Sequence, residues 1–218
     1  MKTFRYKVRS CLLPLLFHET KYLIYLQNLL LSCFPIYIFQ IASFIGTHSF
    51  YLCVLPIFFW VQYPTDLSTL SKELLYFARV LVLNLAAGVC ITCFLKDYLS
   101  LPRPNLQRKA IVKYHLKEFG CPSTHSANAT SISLFLYEYL SLIYGQKIPF
   151  IILFALVTST FLVISSRIAL GMHGFFDICT GMLIGLIVQV VVSTFYDDLH
   201  NFLENSTAIQ GNFKPFHN

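Results

Sequence analysis

Charge is scarce in this sequence: 12% of its 218 residues are Asp, Glu, Lys or Arg, while 56% are hydrophobic. Soluble domains carry about 25% charged residues, so the deficit excludes a large soluble core and points to an integral membrane protein. Acidic residues are the scarcer sign, 10 against 16 basic. Near the polar motifs described below, the acids are Asp97, Glu118 and Asp177. No pair among them resembles a Mg²⁺ site, and neither a metal nor another cofactor is expected. A disulfide framework is missing too. The seven cysteines are scattered, mostly in apolar segments, and Cys90-x-x-Cys93 has no second pair, so they read as small buried hydrophobes. There is no internal repeat, low-complexity tract or second domain. The start, with Lys2, Arg5, Lys7 and Arg9, lacks the small-residue cleavage site of a secretory signal. It is expected to stay as a basic cytosolic tail. Much of the net charge of +6 sits there and in Lys96–Lys117, so nucleic acid is not an expected partner.

What the chain does have is long apolar runs. A helix needs about 20 predominantly apolar residues to cross a bilayer. Six stretches approach this: Tyr22–Ile45, Thr47–Tyr63, Glu73–Leu95, Ser126–Tyr144, Pro149–Ser165 and Gly174–Phe195. The expected architecture is an all-α integral membrane protein of about six transmembrane helices, residues 22–196, between cytosolic tails 1–21 and 197–218. Gln27, Asn28, Ser32, Pro35 and Gln40 interrupt the first stretch, which reads as a tilted or partly interfacial helix. A basic N-terminus belongs in the cytosol, and six crossings return the C-terminus there. Span three then exits, and spans four and six begin, on the opposite face. The loop Lys96–Pro122 carries six Lys/Arg residues on that outer side, against the charge rule. A site for an anionic head group accounts for such a field. Arg79 and Glu138 lie toward the cytosolic ends of their spans, where long side chains can snorkel, and a structural role, with an ion pair between them as one option, is expected of them.

Three polar stretches abut these spans: Lys96–Pro104 (KDYLSLPRP), Pro122–His125 (PSTH) and Ser166–Asp177 (SRIALGMHGFFD). His173 and Asp177 are four apart and share a helix face. A carboxylate there can hold one imidazole proton and direct the other nitrogen outward, to attack phosphorus or move protons. Pro122-Ser123-Thr124 reads as a helix start, whose free N–H groups suit phosphate oxygens. His125, one step inside, can protonate a leaving alkoxide. Lys96 and Arg103 form a clamp, Arg as a planar fork and Lys as a point charge. Taken singly, each has an ordinary structural explanation: a hydrogen-bonded histidine, a capped helix, an interfacial anchor. Asn128-Ala-Thr130 and Asn205-Ser-Thr207 match the glycosylation sequon. The first is expected to be poorly accessible, and the second to be unmodified on a cytosolic tail.

In order, the residues spell K-x6-R-P, P-S-x-H and S-R-x5-H-x3-D, and this resembles the type 2 phosphatidate phosphatase superfamily of metal-independent lipid phosphatases. The resemblance implies that Lys96, Arg103 and Arg167 bind phosphate, together with Ser123 and the Thr124 N–H. It implies His173 as the nucleophile, through a phosphohistidine, Asp177 as its orienting partner and His125 as the general acid. Thr124 stands where many members have glycine. The longer strings GTHSFY (Gly46–Tyr51), KDYLSLPRP, FGCPSTHSANAT (Phe119–Thr130) and GMHGFFD resemble the sphingoid-base 1-phosphate phosphatase branch. That implies a lipid phosphate substrate in the bilayer, hydrolysis to the free base, and a lumenal site in the endoplasmic reticulum. Phosphatidate or a prenyl diphosphate as substrate, transfer to another alcohol, and a non-catalytic phosphate-lipid-binding role are the alternatives.

Overall fold

The computed structural model describes residues 2–50, 69–104, 106, 119–144 and 147–195. The described elements are all helical: α1 (Lys2–Cys33), α2 (Ile36–Ile45), α3 (Thr69–Leu99), α4 (Thr124–Tyr144), α5 (Phe150–Ala169) and α6 (Phe175–Thr194). An isolated antiparallel bridge pairs Pro102 with Phe119. Helices exhaust their own backbone hydrogen bonds, which is what lets them stand in hydrocarbon. The outward faces of α5 and α6 suit that solvent, with Phe150, Phe154, Val157, Phe161, Leu183, Leu186, Ile187 and Val190 all exposed.

The stretch Tyr22–Ile45 is not one straight crossing. Proline disfavours helical dihedrals in the residue before it, and at Pro35 (φ −61°, ψ 141°) the helix breaks. The two pieces His18–Cys33 and Ile36–Ile45 meet at 106°. α1 runs continuously through Tyr22 from Lys2. Leu16 packs with Leu101 and Cys121, and Leu23 packs with Leu106, Ile168 and Ile178.

The count of six spans is not reached among the described residues. Phe77–Leu99, Phe150–Ala169 and Phe175–Thr194 are long and apolar enough to cross, and the bent pair makes up to four. α4 has 21 residues, about 30 Å at 1.5 Å per residue, which is long enough. Thr124, His125, Ser126, Asn128, Thr130 and Ser131 make its first half too polar to qualify on composition. Those groups are tolerated because neighbouring helices bury them. From Tyr51 on, the expected span Thr47–Tyr63 lies outside the described residues, as do the C-terminal tail and Asn205.

α4 packs most extensively on α6, with α3 on its other side. The crossing runs over Gly181 and Gly185. A Cβ on Gly181 would strike the Ser123 carbonyl oxygen, and one on Gly185 the Ala127 carbonyl oxygen. Small residues four apart allow this approach in membranes, where dispersion contacts drive helix association. Between α3 and α4, Val80, Leu81, Leu85, Ile132 and Phe135 form a core cluster. Glu138 accepts from Gln189 Nε2 of α6 at 2.7 Å and makes no ion pair with Arg79 among the described residues. Between α4 and α5 lies an apolar groove of about 400 Å³, lined by Thr130, Leu134, Val157, Phe161, Ile164 and Met182 among others.

Candidate active site

The up-and-down course of the chain gathers two helix C-termini, α3 and α5, beside two helix N-termini, α4 and α6. Each end carries chemistry that suits it. Lys96 occupies the last turn of α3 and Arg167 that of α5, where the negative end of the helix dipole favours a cation. The first turn of α4 supplies free N–H groups, while at the start of α6 the Gly174 N–H is held by Asp177 and the Phe176 N–H by Glu19. Backbone contacts lock the ends together. The Ser123 N–H donates to the Asp177 carbonyl at 2.9 Å, and the Gly120 N–H to the Leu101 carbonyl at 2.9 Å. The turn between α5 and α6 returns through Gly171 at φ 67°, a left-handed conformation that glycine adopts without cost. It brings the N–H groups of Met172 and His173 onto the Arg167 carbonyl, at 2.8 and 3.2 Å.

The cations converge. Lys96 Nζ donates to Thr124 Oγ at 2.8 Å, and the Thr92 and Thr124 hydroxyls are 3.0 Å apart. Arg103 Nη1 donates to the Met172 carbonyl at 2.6 Å. Arg167, 3% exposed, donates from Nη1 to Ser43 Oγ of α2 at 2.6 Å, and its Nε is buried without a partner. Neither Lys96 nor Arg167 pairs with a carboxylate among the described residues. Burying positive charge without a paired carboxylate is costly, and a bound anion would offset that cost.

His173 and Asp177 are buried, 2% and 0% exposed. His173 Nδ1 faces Asp177 Oδ2 at 3.4 Å, and the same oxygen accepts the Gly174 N–H at 3.1 Å. With Nδ1 turned to the carboxylate, Nε2 is the nitrogen left for chemistry. Burial, then the charges of Arg167, Arg103 and Lys96, hold the His173 imidazole well below its ordinary pKa of 6.5. It is therefore neutral, the state a nucleophile needs. His125, on the first turn of α4, is close enough to feel the charges of Arg167, Lys96 and Arg103. Ser123 is fully buried, and its hydroxyl accepts from Ser126 Oγ at 3.0 Å at the start of α4. Lys96, Arg103, Ser123, Thr124, His125, Arg167, His173 and Asp177 thus all come together at one end of the bundle. Asn128 is 1% exposed, consistent with a closed sequon, while Glu118 lies outside the described residues and Asp97 is exposed.

Four neighbours of the site escaped sequence reasoning. Ser43 binds Arg167, and its position carries no local pattern that marks it. A Cβ on Gly46 would sit 3.2 Å from His125 Cδ2, so the end of α2 rests on that imidazole. Thr92 precedes Lys96 by four residues and shares its helix face, a signal that was available. Glu19 comes from α1: its Oε2 accepts the Phe176 N–H at 3.2 Å, adding an acid beyond Asp97, Glu118 and Asp177.

The sequence model of the PAP2 superfamily matches residues 77–200. The chain is 30% identical over 217 residues to a dihydrosphingosine 1-phosphate phosphatase of Schizosaccharomyces pombe, covering 95% of this chain and 49% of the relative. It is 32% identical over 163 residues to human sphingosine-1-phosphate phosphatase 2, covering 72% of this chain and 37% of that protein. The chain spans about half the length, or less, of the curated relatives it matches. Among solved structures it is similar to the first transmembrane PAP2 type phosphatidylglycerolphosphate phosphatase from Bacillus subtilis. The TM-score is 0.58 at 19% identity, covering 99% of this chain and 96% of that one.

Proposed function

Since the chain belongs to the PAP2 superfamily, we propose that it is a membrane lipid phosphatase hydrolysing sphingoid-base 1-phosphates to the free base and phosphate. The observation that carries this reading is the buried His173 imidazole, backed by Asp177 at 3.4 Å and within range of the charges of Lys96, Arg103 and Arg167. The names of the relatives support the sphingoid branch.

In this reading the substrate's phosphate enters from the non-cytosolic face, in the lumen of the endoplasmic reticulum. Its equatorial oxygens take the guanidinium forks of Arg103 and Arg167, the Lys96 ammonium, the Ser123 hydroxyl and the Thr124 N–H. These donors oppose charge that grows in the transition state, so they lower the barrier as well as bind. His173 Nε2 attacks phosphorus in line. The P–O bond to the lipid breaks, and His125 delivers the proton to the departing oxygen. His125 then accepts a proton from water as that water cleaves the phosphohistidine, releasing phosphate and restoring both histidines. The apolar groove between α4 and α5 starts about one turn from Ser126 and Arg167, and offers an alkyl chain a course into the bilayer.

The test is phosphate release by purified, detergent-solubilised protein in EDTA, with His173→Ala as control. Dihydrosphingosine 1-phosphate, phosphatidate, lysophosphatidate and a prenyl diphosphate form the panel. Preference for the sphingoid phosphate supports mechanism and branch, and vanadate should block it. Broad turnover keeps the mechanism and removes the branch. Activity that needs added Mg²⁺ refutes the metal-free mechanism, and release from none of the four refutes the enzyme reading.

A further inference from the structure

Residues 174–177 hold the Asp177 carboxylate against His173, and a second carboxylate reaches the same turn from far away in sequence. Gly174 caps α6 at its N-terminus, and Asp177, three residues on, turns back to take the Gly174 N–H. Between them the Phe176 N–H is claimed by Glu19 of α1. The other oxygen, Glu19 Oε1, is buried with no partner and lies against the Gly174 Cα. A Cβ on Gly174 would collide with Oε1, would stand 3.1 Å from Glu19 Cδ, and would sit 3.4 Å from Leu23 Cδ1. Glycine here is thus explained by the close approach of α1. One turn along α1, Leu23 is fully buried against Ile178 of α6. α1 therefore docks on the first turn of α6 through Glu19 with apolar contacts on both sides of it, Leu23 on Ile178 and the Leu16 cluster against Phe176.

We propose that Glu19 is a positioning residue for the His173–Asp177 pair. It touches neither substrate nor imidazole. By fixing the Phe176 amide and packing on Gly174, it sets the rotation of the turn from which Asp177 meets His173 Nδ1. α1 lies outside the residues matched by the PAP2 sequence model, so the family's motifs assign it no role. A carboxylate at a helix N-terminus is also favoured by the dipole, which offsets part of the burial of this half-buried acid. The consequence is an arm in α1 that governs how well aimed the imidazole is.

This role rests on the proposed phosphatase activity, and the test separates the two. Kinetics on dihydrosphingosine 1-phosphate are measured for wild type, E19A, E19Q, G174A and the double variant E19A/G174A. Deuterium exchange of the peptide covering residues 174–180 is followed in the same proteins. Misaiming a reacting group by about 1 Å costs up to roughly 100-fold. E19A should therefore lose kcat by about 10- to 100-fold, with KM nearly unchanged, and exchange faster at the start of α6. E19Q keeps an acceptor for the Phe176 N–H and should recover most of the loss. G174A should resemble E19A, and the double variant should be little worse than either, since the alanine methyl then has room. Wild-type kcat in E19A, multiplicative losses in the double variant, or unchanged exchange in E19A would each overturn the assignment. A wild type that releases no phosphate defeats the functional reading, while the exchange comparison still decides whether Glu19 holds the turn.

Discussion

The site has two sides, and they are built on different principles. On one side α4 and α6 meet backbone to backbone: Ser123 N–H to Asp177 carbonyl, with Gly181 and Gly185 of α6 letting the Ser123 and Ala127 carbonyls come close. This side carries both histidines and Asp177. On the other side α1 and α2 reach in with single side chains, Glu19 onto the Phe176 amide and Ser43 onto Arg167. The difference teaches that the reacting groups sit on a unit with few degrees of freedom, while their aim and charge are trimmed by contacts that one substitution can remove. Changes on the α4–α6 side should therefore abolish or gut activity, and changes on the α1–α2 side should grade it.

The largest effect belongs to His173→Ala, which should leave neither turnover nor a trapped phosphoenzyme under acid-free quench. Substantial turnover in that variant would remove His173 as nucleophile. His125→Ala should follow, with a loss of about 10²–10⁴-fold in kcat, the usual worth of a proton-transfer group. A loss below tenfold would mean that another group protonates the leaving oxygen. Gly181→Val attacks the crossing itself. Forcing methyl groups against the Ser123 carbonyl should cost about 1–3 kcal/mol, read as a lower melting temperature in detergent. A thermally unperturbed variant would show that the helices part without penalty.

The smallest mutational effect is expected at Ser43→Ala. The hydrogen bond it accepts from Arg167 is worth about 1.5–3 kcal/mol at most for a charged donor. Water can replace part of that, so a rise of about tenfold or less in KM is expected. A collapse of kcat would move Ser43 to the α4–α6 class. Acid provides a gentler probe. The imidazole of His173 has its pKa held below 6.5, and in the proposed mechanism its neutral form attacks. On the nucleophile's account kcat/KM should hold through pH 6.5 and fall only at more acid values. Stability should start to decline earlier, as pH falls below 6.5, because the unfolded chain takes up a proton near 6.5 that the folded chain refuses. An acid limb at or above 6.5 that disappears in no other variant would contradict a neutral His173.

The motif side was legible because polar residues stand out in an apolar chain. Lys96, Arg103, Ser123, His125, Arg167, His173 and Asp177 could be picked by chemistry. The alternation of span directions then sent their stretches to one end, where α3, α4, α5 and α6 do place them. The crossing was legible but unread, since Gly181-x-x-x-Gly185 is a recognised spacing for close helices. The other side was hidden for a physical reason. Glu19 meets Phe176 across 157 positions and Ser43 meets Arg167 across 124, and no periodicity links residues so far apart. Pro35 was noticed as an interruption, yet a break of 106° depends on how α2 finds α5 through Phe39 and Ala169. Composition alone also overstated how clearly α4 reads as a span, because burial by neighbours makes up for its polar first half.

The backbone link between Ser123 and Asp177 has a consequence for life in different membranes. Helices answer a thicker or thinner bilayer by tilting, and tilt ordinarily moves one helix end relative to the next. Here α4 and α6 are pinned at the end that carries His125 and His173, with Gly181 just beneath. The pair must pivot about the site and spread its motion to the far end, near Glu138 and Gln189. On the proposed mechanism, this pinning would keep His125 and His173 in register as the thickness of the lipid around them changes.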